Sequence, residues 1–173
     1  GATDNGGNRG MYKVIVIDDE TLVRRGIVME TDWQALDCMV VAEADNGIEG
    51  LEAIRKYHPD LLICDIRMPQ MDGIEMLKQL RAEGNDVSVI FLTAYSEFSY
   101  AQSALKLLAS DYLLKPFGDG ELEQAVNAAL GKRKKTQERE ETRSEEQLPE
   151  LVLNKGVRIS EAFPLDVFAL LKD

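Results

Sequence analysis

Cysteine and histidine are scarce in this chain. Cys38 and Cys64 are the only cysteines among 173 residues and His58 the only histidine. The cysteines have no metal-ligand spacing, and both fall in predicted strands. They read as reduced core residues of an intracellular α/β domain, which excludes a disulfide framework. His58 precedes Pro59 at the end of a predicted helix. It reads as an exposed helix-end residue rather than a phosphodonor, because it lies away from the strand ends where such folds bind ligands. Long hydrophobic runs are missing too. No apolar stretch approaches the roughly 18 residues that cross a bilayer, and no signal peptide is present. The expectation is a cytoplasmic protein with no membrane contact.

A basic excess is also absent. Residues 11–130 hold 10 Lys and Arg against 21 Asp and Glu, which accounts for the whole net charge of −11, while both flanks are neutral. Non-specific DNA affinity comes from counterions released by a basic face, so this acidic stretch repels DNA. The short basic run Lys132–Lys135 is offset by the glutamates that follow and reads as a solvated face.

What the chain does have is four apolar runs, each ending in a residue suited to phosphate chemistry. Asp18-Asp19-Glu20 follows Y-K-V-I-V-I, Asp65 follows D-L-L-I-C, Thr93 follows V-S-V-I-F-L, and Lys115 follows D-Y-L-L. Each run is short, rich in Val, Ile and Leu, and followed by helical periodicity, so it reads as a buried parallel strand. In a doubly wound sheet ligands bind outside the carboxyl ends of the strands, so distant residues converge on one crevice. Three carboxylates held there repel by about 1 kcal/mol per pair even in water. The cluster therefore needs a cation, and oxygen-only ligands select a hard one, best Mg²⁺. One carboxylate can then accept a phosphoryl group whose oxygens are neutralised by the metal, Thr93 and Lys115.

The set I-D-D-E, I-C-D-I-R-M-P-Q-M-D-G, F-L-T-A-Y and L-L-K-P-F resembles the receiver domain of two-component response regulators. The phrases around Met11–Glu20, Tyr95–Leu107 and Asp111–Pro116 look closest to the subgroup with AraC-type DNA-binding outputs. The resemblance implies that Asp65 is the phosphoacceptor, Asp19 a direct Mg²⁺ ligand and Asp18 a ligand through water. Asp65 itself and the backbone carbonyl of Arg67 would complete the metal shell. Thr93, Ala94 and Lys115 would bind the phosphoryl group, and Tyr112 matches the family's switch aromatic. It also implies a sensor histidine kinase as phosphodonor, a phosphorylation-dependent homodimer through the fourth helix, fifth strand and fifth helix, and DNA contact only through an output domain absent from this chain. Where the subgroup has Gly ending the fourth helix, this chain has Leu108, which pays a steric cost in a left-handed cap. That helix is therefore expected to end differently.

Periodicity predicts strands over about 12–17, 39–43, 61–64, 87–92 and 111–114, and helices over about 22–30, 48–57, 74–82, 98–108 and 119–130. Alternation of this kind implies a flavodoxin-like, doubly wound parallel sheet of order 2-1-3-4-5 with helices on both faces. The expected organisation is a Gly/Asn-rich remnant at 1–10, a receiver domain at 11–130, a charged linker or helix extension at 131–147, and an apolar tail at 148–173. Residues 131–147 contain no large apolar side chain, so they cannot form a coiled-coil seam. The tail is too short for its own core, and reads as the start of a truncated output domain or a segment docking on the receiver. An AraC-type output needs on the order of 100 residues, which nothing here supplies.

Two other readings stay open at this stage. A Mg²⁺-dependent phosphohydrolase of the haloacid dehalogenase type uses similar residues, but its nucleophile lies in a D-x-D pair, and here Glu20 stands at the second position after Asp18. A pseudo-receiver that is never phosphorylated is weakened by the presence of every acceptor-site residue.

Overall fold

Short runs of β-branched and aliphatic residues form the sheet, and amphipathic segments form the helices, two of them started by side-chain caps. The structure, a computed structural model, describes residues 10–118 and 120–153. The strands are β1 (Tyr12–Ile17), β2 (Cys38–Ala44), β3 (Leu61–Asp65), β4 (Ser88–Thr93) and β5 (Asp111–Leu114). The helices are α1 (Thr21–Glu30), α2 (Gly47–Tyr57), α3 (Gly73–Ala82), α4 (Phe98–Lys106) and α5 (Glu121–Leu153), with a 3₁₀ turn at Gln34–Leu36. Asn46 starts α2 by accepting the Glu49 N–H at 2.9 Å, and Asp72 starts α3 by accepting the Glu75 N–H at 2.8 Å. Such caps satisfy amides that the helix leaves without partners.

All five strands are parallel, in the order β2-β1-β3-β4-β5. Strand residues alternate between two apolar layers. Ile15, Ile17, Leu62, Cys64 and Phe91 meet Leu51 and Ile54 of α2 and Met76, Leu77 and Leu80 of α3, with Ala104 of α4. On the other face Val14, Val16, Ile63, Ile90 and Leu92 meet Ile27 of α1 and Leu122, Val126 and Leu130 of α5. Each fully buried Leu, Ile or Phe contributes roughly 1.5–3 kcal/mol. Both cysteines are free and buried, as the scarcity of cysteine led us to expect.

Register levels the strand ends. Ile17 pairs with Ala44 and Cys64, Asp65 with Leu92, and Thr93 with Leu114. The order of the strands reverses between β1 and β3, so Asp18 and Asp65 flank the topological switch point.

Several boundaries differ from the periodicity. Strand β2 is one residue longer at each end, and β3 and β4 run on to include Asp65 and Thr93, because ladder pairing continues past the last apolar side chain. The fourth helix stops at Lys106, yet Leu108 keeps the left-handed conformation (φ 59°). Its cap was expected to change because Leu replaces Gly, and it does not. The N–H of Leu108 donates to Leu105 O at 3.1 Å and that of Ala109 to Ala104 O at 2.9 Å, the paired bonds of a Schellman cap. The Arg81 guanidinium donates to the carbonyls of Leu107 and Leu108 and also to those of Asn85 and Val87. These bonds hold the turn against its steric cost. Helix α5 continues to Leu153 through the charged stretch. By compactness the chain divides into Gly1–Gly131 and Lys132–Asp173. Residues 1–9, Asp119 and residues 154–173 lie outside the described residues, and with them most of the remnant and most of the apolar tail.

Candidate functional site at the strand ends

The sequence-predicted residues converge. Asp18, Asp65 and Thr93 are buried at the carboxyl ends of β1, β3 and β4, and Asp19 beside them is exposed. One oxygen from each of Asp18, Asp19 and Asp65 lies within 4.8 Å of the others. Lys115, just beyond β5, places Nζ 2.7 Å from Asp18 Oδ2, 3.4 Å from Asp65 Oδ2 and 3.6 Å from Glu20 Oε1. Three acids around one ammonium leave the pocket net negative, and the donor set is all oxygen. That chemistry fits a hard divalent cation.

Backbone amides orient the carboxylates. The Glu20 N–H donates to Asp18 Oδ1 at 2.9 Å, and the Ile66 N–H to Asp65 Oδ1 at 2.8 Å. Burial first, and then the charge of Asp18, push the Asp65 carboxyl up to about 7, against the opposing pull of Lys115 and of the Ile66 amide. Burial works against the Lys115 ammonium, but its hydrogen bond to Asp18 and the charges of Asp65, Asp18 and Glu20 outweigh it and raise its pKa.

The loops complete the site. Thr93 Oγ1 accepts the Tyr95 N–H at 3.2 Å, and the Thr93 carbonyl accepts the Lys115 N–H at 2.8 Å. Ala94 follows, exposed. Tyr112 is half-buried on β5, and its hydroxyl donates to the Tyr95 carbonyl at 2.9 Å. Arg67, two residues after Asp65, turns its side chain onto the β4–α4 loop, where it pairs with Glu97 and donates to the Tyr100 hydroxyl at 2.7 Å. His58 is the left-handed cap of α2 (φ 49°), exposed three residues before β3 begins and so at the amino ends of the strands, away from these residues.

Three contributions escaped the sequence reading. Gly73 leaves room for the Asp65 carbonyl, since a Cβ there would lie 2.3 Å from that oxygen, and its N–H donates to Ile66 O at 2.8 Å. The M-D-G triplet signalled it, as a turn residue next to a helix start. Arg24 of α1 braces the end of β1 by donating to the Asp18 carbonyl at 2.6 Å and to Glu43 Oε1 at 3.1 Å. Nothing in its local sequence marks it. The resemblance marks Arg67 only for its carbonyl, and the grip of its side chain on Tyr95, Glu97 and Tyr100 has no signature in the sequence.

Comparison with known proteins agrees with this geometry. A family model of the response regulator receiver domain matches residues 14–127. The chain is 33% identical over 125 residues to the transcriptional regulatory protein YesN of Bacillus subtilis, covering 72% of this chain and 34% of that protein. It is 41% identical over 118 residues to the regulatory protein AtoC of Escherichia coli, covering 68% of this chain and 25% of that one. The chain thus spans about a quarter to a third of these relatives. Among solved structures, the receiver domain of AraT, a response regulator from Geobacillus stearothermophilus, is 39% identical with a TM-score of 0.68, over 73% of this chain and 98% of that one. Other similar structures belong to regulators of the LuxR family, from Staphylococcus aureus among others, so the AraC-type subgroup is not singled out. With the flavodoxin-like strand order and the clustered strand-end residues, the match over residues 14–127 makes this chain a member of the response regulator receiver domain family.

Proposed function

We propose that Asp65 accepts a phosphoryl group from a sensor histidine kinase in a Mg²⁺-dependent step and so switches a transcriptional output carried elsewhere in the protein. The observation that supports this reading most is the setting of Asp65. Its carboxylate is buried beside Asp18 and Asp19, with one oxygen held by an amide and the other facing Lys115. In the transfer an Asp65 oxygen bonds to phosphorus as the bond to the donor breaks. Asp19, Asp18 through a water, and the Arg67 carbonyl would hold Mg²⁺, which when bound supplies positive charge to the phosphoryl oxygens. Thr93, Ala94 and Lys115 receive the remaining oxygens, and Lys115 needs only to turn from Asp18 to do so. The phosphohydrolase alternative loses its support, because the chain belongs to the receiver family and the loop after Asp65 is occupied with shaping the acceptor through Gly73.

Acetyl phosphate with Mg²⁺ tests the proposal. A single acid-labile label on the wild type, absent from Asp65→Asn and no longer Mg²⁺-dependent in Asp19→Ala, is the expected result. Label persisting on Asp65→Asn overturns it, as does repeated turnover of a phosphate ester, and absence of any response identifies a pseudo-receiver.

The same reading extends to assembly. Phe98, Leu105 and Leu108 on and just after α4 are 80%, 76% and 78% exposed, and Leu114 of β5 is 45% exposed. Such an apolar stripe supports a homodimer through α4, β5 and α5 once the domain is phosphorylated. DNA contact then falls to an output domain, not to the acidic receiver. Light scattering with and without beryllofluoride is the measurement, and an unchanged mass across the micromolar range refutes the dimer.

A further inference from the structure

We propose that the Arg67 side chain is a latch joining the loop after β3 to the β4–α4 loop, so that cation loading at the strand ends is read out in the order of residues 95–101. The proposal rests on the metal site above and adds to it a path to α4. The Arg67 guanidinium carbon stacks 3.7 Å from the centre of the Tyr95 ring and lies 5.6 Å from that of Tyr100. Its Nε donates to the Tyr100 hydroxyl at 2.7 Å, and one terminal nitrogen pairs with Glu97. A planar fork that stacks and donates in two directions at once is something arginine offers and lysine does not.

Exposure makes the Arg67–Glu97 pair by itself worth little. Its effect comes from where it acts. Tyr95 is held at three points by three different elements: its ring by Arg67, its N–H by Thr93 Oγ1, and its carbonyl by the Tyr112 hydroxyl. Glu97 and Tyr100 continue the grip into the start of α4. Arg67 lies two residues from Asp65, so any adjustment of that backbone to a cation is passed through the guanidinium to the loop. Coupling between two such places is reciprocal: what orders the loop also favours the loaded site.

Amide hydrogen exchange on the full chain tests this, with Mg²⁺ alone as the probe. Without metal, Arg67→Gln should raise exchange at residues 95–101 by about tenfold, while amides of β1 and β3 stay protected and report an intact fold. Adding Mg²⁺ should slow exchange in that loop several-fold in the wild type and leave it unchanged in Arg67→Gln. Arg67→Lys keeps the charge but not the fork, so it should behave as Arg67→Gln. A wild-type response in Arg67→Lys would reduce the effect to charge and overturn the latch, as would equal Mg²⁺ protection in Arg67→Gln. Mg²⁺ that leaves the melting temperature of the wild type unmoved would overturn the metal site and the latch together, whereas a shifted melting temperature with an unresponsive loop overturns the latch alone.

Discussion

The Lys115 ammonium sits on Asp18, 2.7 Å from Oδ2, and reaches Asp65 only at 3.4 Å. Its positive charge thus lies against two of the three carboxylates that would hold a cation, and it would have to leave Asp18 to serve a phosphoryl group on Asp65. Competition of this kind sets the metal affinity. Lys115→Ala should bind Mg²⁺ more tightly, by about thirtyfold if the repulsion between a unit charge and a divalent ion is worth about 2 kcal/mol at 4 Å in water. Titration calorimetry measures it, and weaker binding would show that the lysine supports the metal instead.

Protonation of Asp65 gives the site a pH signature. Its carboxyl is raised from 3.8 to about 7, mainly by burial and then by Asp18. Between those values the folded protein holds a proton that the unfolded chain has lost, so metal-free stability should fall as pH rises through this window. Mg²⁺ needs the ionised form, so the increase in melting temperature it causes should be larger at pH 8 than at pH 5.5. Asp65→Asn should flatten the metal-free trend and melt above the wild type at pH 8. A wild type that gains stability from pH 5.5 to 8 without metal would contradict the burial argument.

Gly73→Ala tests how Asp65 is seated. The new Cβ meets Asp65 O at 2.3 Å, Cys64 Sγ at 3.1 Å and a Phe91 ring carbon at 3.2 Å, and the closest of these is backbone that cannot swing aside. Overpacking of this kind costs roughly 1–3 kcal/mol, and the shift would fall on the Asp65 peptide itself. Urea melts should show the loss, together with a smaller stabilisation by Mg²⁺. Unchanged values of both would mean that the α3 start relaxes without disturbing the strand.

Leu108→Gly should act in the opposite direction. Leu108 is 78% exposed and held at φ 59°, so the change gives up little burial while removing a left-handed strain of about 1–2 kcal/mol. Part of that gain is offset by the freedom glycine adds to the unfolded chain. A net gain of about 0.5–1 kcal/mol is expected in thermal melts. Destabilisation would mean that the leucine side chain makes contacts that matter more than its backbone does.

Sequence alone determined the order of elements and picked out the polar residues that cluster at the strand ends. Buried parallel strands need unbroken Val, Ile and Leu, so β1 and β3–β5 announced themselves, and their polar terminators Asp18, Asp19, Asp65, Thr93 and Lys115 had to meet once strand order placed them along one edge. Only the tertiary structure decided which partners these residues take. That Lys115 prefers Asp18, that Gly73 underlies Asp65 and that Arg24 braces β1 are contacts between residues up to 97 positions apart, and no local pattern encodes a distance across the fold. The same holds for the left-handed Leu108. Local propensity argued against it, but four carbonyls converging on Arg81 form only when α3, α4 and β4 have packed together, and bonds made in the folded state outweigh a preference expressed residue by residue.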